Sequence, residues 1–245
     1  MEKKGRTIAV TSGKGGVGKT SIVSNLAYLL SKMGKSVYVL DADLSLGNVD
    51  VMFRVFPKFN IKDLLEGRKT IEEIVVEREG VRIIPATSGI LEFSHLSEAE
   101  KDKIISSFRQ IDGFDFMIID TAAGISSNVV YFNNMCQEIF IVITPDPASL
   151  TDSYAVIKVL HRKLGRRHFN LVVNMARDER EAEDIFRKLL SVTDRFLDVY
   201  LDFYGFIPLD RNIGLAVKRQ RLWVQEFPET LGTKALMKIC SRLIS

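Results

Sequence analysis

Cysteine is scarce in this 245-residue chain: Cys136 and Cys240 are the only two, and they stand far apart. That spacing excludes a Cys-x-x-Cys metal or redox motif and suits a reducing, cytoplasmic setting. No apolar run approaches the ~18–20 residues that a membrane-spanning helix needs. The first apolar run, Ile8-Ala9-Val10, gives way to glycine too soon for a signal-peptide core. His95, His161 and His168 fall at no ligand spacing. There is little excess charge of either sign. The net balance is +3, so any surface for nucleic acid would have to be a local patch. With 46% hydrophobic and 27% charged residues, disorder and collagen-like architectures are also excluded. The length suffices for a full core without disulfides or structural metal.

What the chain does have is an alternation of short β-branched runs with longer helical stretches. Strands are expected at Thr7–Thr11, Ser36–Leu40, Val81–Pro85, Phe114–Ile119, Glu138–Thr144 and Phe169–Asn174, with a weaker one at Tyr204–Ile207. The runs are continuous rather than alternating, as in parallel strands buried on both faces. Helices are expected at Thr20–Met33, Ser97–Ile111, Ser127–Cys136, Leu150–Leu164 and Ala182–Thr193. The order implies right-handed crossovers and an α/β fold: a doubly wound, mostly parallel sheet with helices on both faces. No repeat, low-complexity linker or boundary divides the chain, so residues 1–245 are read as a single domain.

Gly13-Lys14-Gly15-Gly16-Val17-Gly18-Lys19-Thr20 fits the phosphate-loop pattern G-x-x-x-x-G-K-[ST]. It lies between an apolar strand and a helix whose apolar face includes Ile22, Leu26, Leu29 and Leu30, the context that the motif requires. Glycines let successive N–H groups curl around phosphate oxygens, and the helix N-terminus adds its dipole. Lys19 is expected to neutralise the β- and γ-phosphates, and the Thr20 hydroxyl to ligate Mg²⁺. With the neighbouring Ser21, Gly13 to Thr20 form the expected nucleotide cradle.

Lys14 is more than a generic phosphate loop needs. The two-lysine loop resembles the deviant Walker A motif of the ParA/MinD family. In that family the first lysine reaches across an ATP-sandwiched dimer, supplying positive charge in trans as an arginine finger does. The run from Asp41 to Asp50 then resembles the family's switch I. The resemblance implies that Asp43 orients the attacking water and that Asp41 lies near the Mg²⁺ shell; turn capping is the other reading of these acids. Phe114–Asp120 reads as a Walker B strand whose terminal Asp120 holds Mg²⁺ through water, and Thr121–Ser126 as switch II, able to move when the γ-phosphate is lost. Asn174 resembles the family's base-recognising asparagine, with a strand-end turn as the alternative. Pro208-Leu209-Asp210 resembles the loop that packs on the base. Asn174-Met175-Ala176-Arg177 stands where a GTPase would carry Asn-Lys-x-Asp, so ATP is preferred to GTP.

The resemblance covers nearly the whole chain and is strongest to the family's flagellum-number regulators. Ile84–Ile90, Asp120–Ser126, Thr144–Tyr154, Leu171–Met175 and Ala216–Arg221 carry it. Ser45 in place of glycine and Phe53-Arg54 in place of Leu-Gly depart from it. Lys3-Lys4-Gly5-Arg6 leads straight into the first strand, without the extension that some such regulators carry. The resemblance implies a cytoplasmic ATPase that forms an ATP-dependent homodimer and hydrolyses slowly until stimulated. It would control flagellar number and placement, with flagellar components or a signal-recognition-type GTPase such as FlhF as partner. Alternatives are a MinD-type division-site ATPase at the membrane, a ParA-like DNA partition ATPase, or a nucleotide-locked scaffold; Lys14 and Asp43 count against the scaffold. Two readings stand for Leu236, Ile239, Cys240, Leu243 and Ile244, which share one helical face. They pack on the domain, or they make peripheral contact with the inner face of the cell membrane. Arg162–Arg167 and Lys218–Arg221 lack interleaved aromatics, and nucleic acid is not expected.

Overall fold

A computed structural model describes residues 5–44, 47–85 and 96–245. Ser45, Leu46, His95, Lys3, Lys4 and the Ala86–Ile90 part of the family-like stretch lie outside the described residues. The order of elements is β1 (Arg6–Ser12), α1 (Lys19–Lys32), β2 (Val37–Ala42), α2 (Val49–Phe53), α3 (Ile61–Leu65), α4 (Ile71–Ile74), β3 (Val76–Arg78) and β4 (Val81–Ile84). Then come α5 (Glu98–Phe108), β5 (Phe116–Ala123), α6 (Ser127–Met135), β6 (Glu138–Ile143), α7 (Pro147–Leu164), β7 (His168–Ala176) and α8 (Glu179–Phe196). The chain closes with β8 (Tyr200–Pro208), α9 (Arg211–Lys218), α10 (Trp223–Glu226) and α11 (Leu231–Ile244).

Among the described residues the strands form one sheet in the order β3-β4-β2-β5-β1-β6-β7-β8. All pairings are parallel except β3 with β4. The continuous apolar runs follow from burial on two sides. In β5, Phe116 and Ile118 join a core with α1, α2, α10 and α11. Met117 and Ile119 face the other way, towards α3, α4, α5 and α6. In β6, Phe140 and Val142 join the first core, while Ile139, Ile141 and Ile143 pack with α7 and α8. β1 lies between β5 and β6, where successive crossovers diverge to opposite halves of the sheet. The crevice beyond its carboxyl end is where such sheets bind ligands.

Several boundaries differ from the sequence reading, for local reasons. α7 begins at Pro147 because Asp146 accepts the Ser149 N–H as its N-cap. α8 extends from Glu179, capped by Asp178. β8 begins at Tyr200, four residues earlier than its apolar run. Its first half lies on the sheet edge and alternates exposed with half-buried positions. β3 carries Glu77 and Arg78, so no apolar signal marks it. The last helix packs against β8 and α1 with Leu236, Ile239, Cys240 and Leu243 buried. The Arg242 guanidinium, donating to Phe203 O and Asp202, fastens it further.

Candidate nucleotide site

The loop between β1 and α1 is shaped by its glycines. A Cβ on Gly13 would lie 2.2 Å from the Asp152 carbonyl carbon, so α7 crosses here at a distance that only glycine permits. Gly18 has φ 92°, and a Cβ there would lie 2.5 Å from Asn174 Nδ2. No side chain caps α1 at Gly18, and no acid stands in its first turn. The N–H groups of that turn therefore remain available to an anion.

The two lysines of the loop occupy opposite environments. Lys19 is 8% exposed, and its Nζ donates to Ser12 Oγ at 2.9 Å. Burial lowers its pKa, opposed by the charges of Asp120 and Asp43. Ser12 Oγ in turn donates to Lys14 O at 2.8 Å, so it fixes both the buried ammonium and the loop backbone. The Lys14 side chain instead points to solvent, with its Nζ 3.4 Å from Asp146 Oδ1. It borders an opening of about 320 Å³ shared with Gly15, Gly16, Thr144, Asp146 and Met175.

The acids meet at the ends of β2 and β5. Asp41 and Asp120 are partners in the strand register and both are buried. Burial raises Asp120 to about 6, opposed by the Thr20 hydroxyl and the Lys19 charge and reinforced by Asp43. Asp120 Oδ1 is buried without a hydrogen-bond partner. Asp41 is also raised, first by burial and then by Asp120. Its two oxygens accept the Asp43 and Val49 N–H groups at 3.2 and 3.0 Å, pinning the backbone at Asp43 and at the start of α2. Lys19, Thr20, Asp41, Asp43 and Asp120 are thus brought together. In the Thr121–Ser126 segment, the Gly124 N–H donates to Ser12 O at 2.8 Å, and Thr121 Oγ1 to Val10 O at 3.1 Å.

Among the described residues no group of three or more His, Cys, Asp or Glu side chains could form a protein-only metal cage. Mg²⁺ does not need one. It commonly takes one or two protein ligands and completes its shell with phosphates and waters. A buried unpartnered carboxylate oxygen on Asp120 beside the Thr20 hydroxyl fits that donor set.

The residues expected to border a base lie on the β7–β8 side. Asn174 is buried, donating through Nδ2 to Val17 O at 2.8 Å and accepting the Met175 N–H at Oδ1. Its amide braces the phosphate loop. Pro208 ends β8, and the Leu209 N–H donates to Ala176 O at 2.7 Å. Asp210 caps α9 through the Asn212 N–H. Sequence reasoning missed Ser12 and Asp146; a hydroxyl just before the loop and an Asp-Pro helix start were their signals. The basic stretches are partly consumed within the molecule. Arg166 donates to Asn134 O and Cys136 O at the end of α6, while Arg167 pairs with Asp198 and Arg219 with Glu226.

A family model described as "ParA: NUBPL iron-transfer P-loop NTPase" matches residues 3–244. The antiactivator FleN of Pseudomonas aeruginosa is 42% identical, over 98% of this chain and 86% of that protein. The flagellum site-determining protein YlxH of Helicobacter pylori is 34% identical, over 100% of this chain and 84% of that one. Among solved structures, the septum site-determining protein MinD of Pyrococcus horikoshii, complexed with Mg-ADP, matches with TM-score 0.79 and 28% identity. That match covers 98% of this chain and 96% of that one. The iron-transfer part of the family description finds no paired surface thiols here. Cys136 and Cys240 are both buried, in cores on opposite faces of the sheet, and burial pushes both thiols up. Loop, sheet order and full-length similarity agree: the chain belongs to the ParA/MinD family of P-loop NTPases.

Proposed function

We propose that this chain is an Mg²⁺-dependent ATPase that works as an ATP-dimerised switch regulating flagellar number and placement. The observation that carries the reading is the contrast between the two loop lysines. Lys19 is buried within its own site, and Lys14 stands exposed beside it, in a solvent-facing contact with Asp146. A lysine so placed can leave its own subunit's loop for a nucleotide on a second copy. There it would meet the charge that develops on the transferring phosphoryl group. The flagellar part of the reading rests on the similarity to FleN and YlxH.

In this reading the α1 N-terminus and the Gly15–Gly18 backbone hold the phosphates, and Lys19 neutralises them. Thr20 and Asp120 would hold Mg²⁺, with Asp41 near its shell, and the ion when bound would neutralise phosphate charge. Asp43 accepts a hydrogen bond from the attacking water and aims it along the phosphoryl axis. Asp41 holds switch I in the register that puts Asp43 there. Asn174 sets the loop, and with Pro208 and Asp210 borders the adenine. Hydrolysis is slow until a partner, such as an FlhF-type GTPase or a flagellar component, stimulates it. The protein acts in the cytoplasm, with peripheral contact at the inner face of the membrane.

Light scattering with ATP, ADP and Mg²⁺ tests the switch. ATP should convert monomer to dimer and ADP should not. Lys14→Ala should weaken that dimer, and Lys19→Ala should impair nucleotide binding itself. Normal dimerisation and turnover in Lys14→Ala would sink the reading. Sedimentation with liposomes and with DNA separates it from a division-site or a partition role.

A further inference from the structure

A second pocket opens at the other end of the sheet, outside the nucleotide site. It has a volume of about 390 Å³ and lies between the start of β2, the β3–β4 hairpin, α4 and the segment after α5. Tyr38 borders it and is three residues before Asp41, so ~10 Å of strand separates it from the switch acids. The apolar side of the pocket is made by Tyr38, Ile71, Val75 and Ile111, of which Ile71 and Ile111 are buried in the core. Its polar rim carries three carboxylates, Glu72, Glu77 and Asp112, against one guanidinium, Arg82.

That guanidinium is already occupied. Arg82 Nη1 donates to Ser36 Oγ at 2.9 Å, its Nε lies 3.7 Å from Glu77 Oε2, and the group sits 5.3 Å above the Tyr38 ring. Arg82 and Glu77 therefore cancel. Glu72 and Asp112 have no hydrogen-bond or ion-pair partner among the described residues, which leaves the rim with two uncompensated negative charges. An apolar floor beneath such a rim suits a long basic side chain, which lays its methylenes on apolar surface and keeps its charged head among carboxylates. An anionic ligand would find Arg82, the one lining cation among the described residues, already engaged.

We propose that this pocket docks a basic, apolar-flanked segment of a partner protein. It would seat one arginine or lysine with its stem on the half-buried Tyr38 and Val75, over the buried Ile71 and Ile111, and its head towards Glu72 and Asp112. Small polycations would be attracted by the same charges but would not use the floor, and the test separates the two.

The probe is a blocked pentapeptide with a central arginine flanked by leucines, titrated into the isotope-labelled protein by NMR. Saturable shifts are expected at the methyls of Ile71 and Ile111 and at the amide of Gln110. The double variant Glu72→Gln/Asp112→Asn should bind about twofold to thirtyfold more weakly, from two exposed charge contacts of ordinary strength. A peptide with norleucine in place of arginine should lose affinity similarly. Both substituted side chains are solvent-facing, so an unchanged unfolding temperature and unchanged ATP binding should accompany the loss. Equal binding by the double variant would overturn the proposal. So would saturable shifts elsewhere only, no saturable shifts at all, or spermidine producing the same shifts at the same affinity.

Discussion

Replacing Gly13 by alanine places one methyl group where the structure has a helix backbone. The new Cβ would stand 2.2 Å from the Asp152 carbonyl carbon and 2.4 Å from its oxygen. These are main-chain atoms in the first half of α7, so no side-chain rotation relieves the clash. α7 cannot simply retreat, because Val156, Ile157 and Leu160 anchor it in the core shared with β6, β7 and α8. Overpacking of this kind costs ~1–3 kcal/mol. In a chain of this length each kcal/mol lowers the unfolding temperature by ~2–4 °C, so Gly13→Ala should unfold about 2–12 °C below wild type. Gly15 is the control within the same loop. A Cβ there meets nothing within 4 Å, and its substitution should stay within about 0.5 kcal/mol of wild type. Calorimetric melting of both variants without nucleotide reads the difference. Identical melting of Gly13→Ala and Gly15→Ala would mean that the loop does not pack on α7 as described.

Three further outcomes follow from the site. Asp120 holds its proton more tightly when folded, with a pKa of about 6, than when unfolded near its ordinary 3.8. Its contribution to stability is therefore present below about pH 4 and is lost as pH rises through 6, by up to about 3 kcal/mol. Asp120→Asn should make this descent shallower in nucleotide-free urea titrations while the buried Asp41 keeps part of it, and a slope identical to wild type in the variant would remove Asp120 as a source. Asn174 touches the phosphate loop through Val17 O, so Asn174→Ala should weaken ATP and ADP alike. Calorimetric titration should also show wild type preferring ATP to GTP. A variant that loses only the discrimination, at full affinity, would make the asparagine a base reader rather than a loop brace.

The parts of the fold that were legible were those where one physical demand dominates. β5 had to be apolar on both faces, so its run was continuous and its position plain. The phosphate loop had to be glycine-rich, so its register was plain too. β3 escaped because a three-residue edge strand is held by its hairpin with β4 and carries charges. The early part of β8 escaped because an edge strand needs no apolar run. In the site, the residues proposed to act directly on a ligand are singled out by type and spacing. Ser12, which holds Lys19, and Asp146, which meets Lys14, come from other elements, and only the folded chain brings them near. Asn174 stood out in the sequence as a candidate base reader, whereas its contact with Val17 O depends on β7 ending against the loop.

The most direct test of the switch is the Asp43→Ala variant, followed by single-turnover hydrolysis together with gel filtration of the ATP-loaded protein. The phosphate loop, Thr20 and Asp120 remain in that variant, so ATP should still bind and the dimer should accumulate. Turnover should fall ~10²-fold or more, the scale lost with a group that positions or activates the nucleophile. Hydrolysis at the wild-type rate would make Asp43 a turn residue and contradict the assignment of switch I on which the account rests.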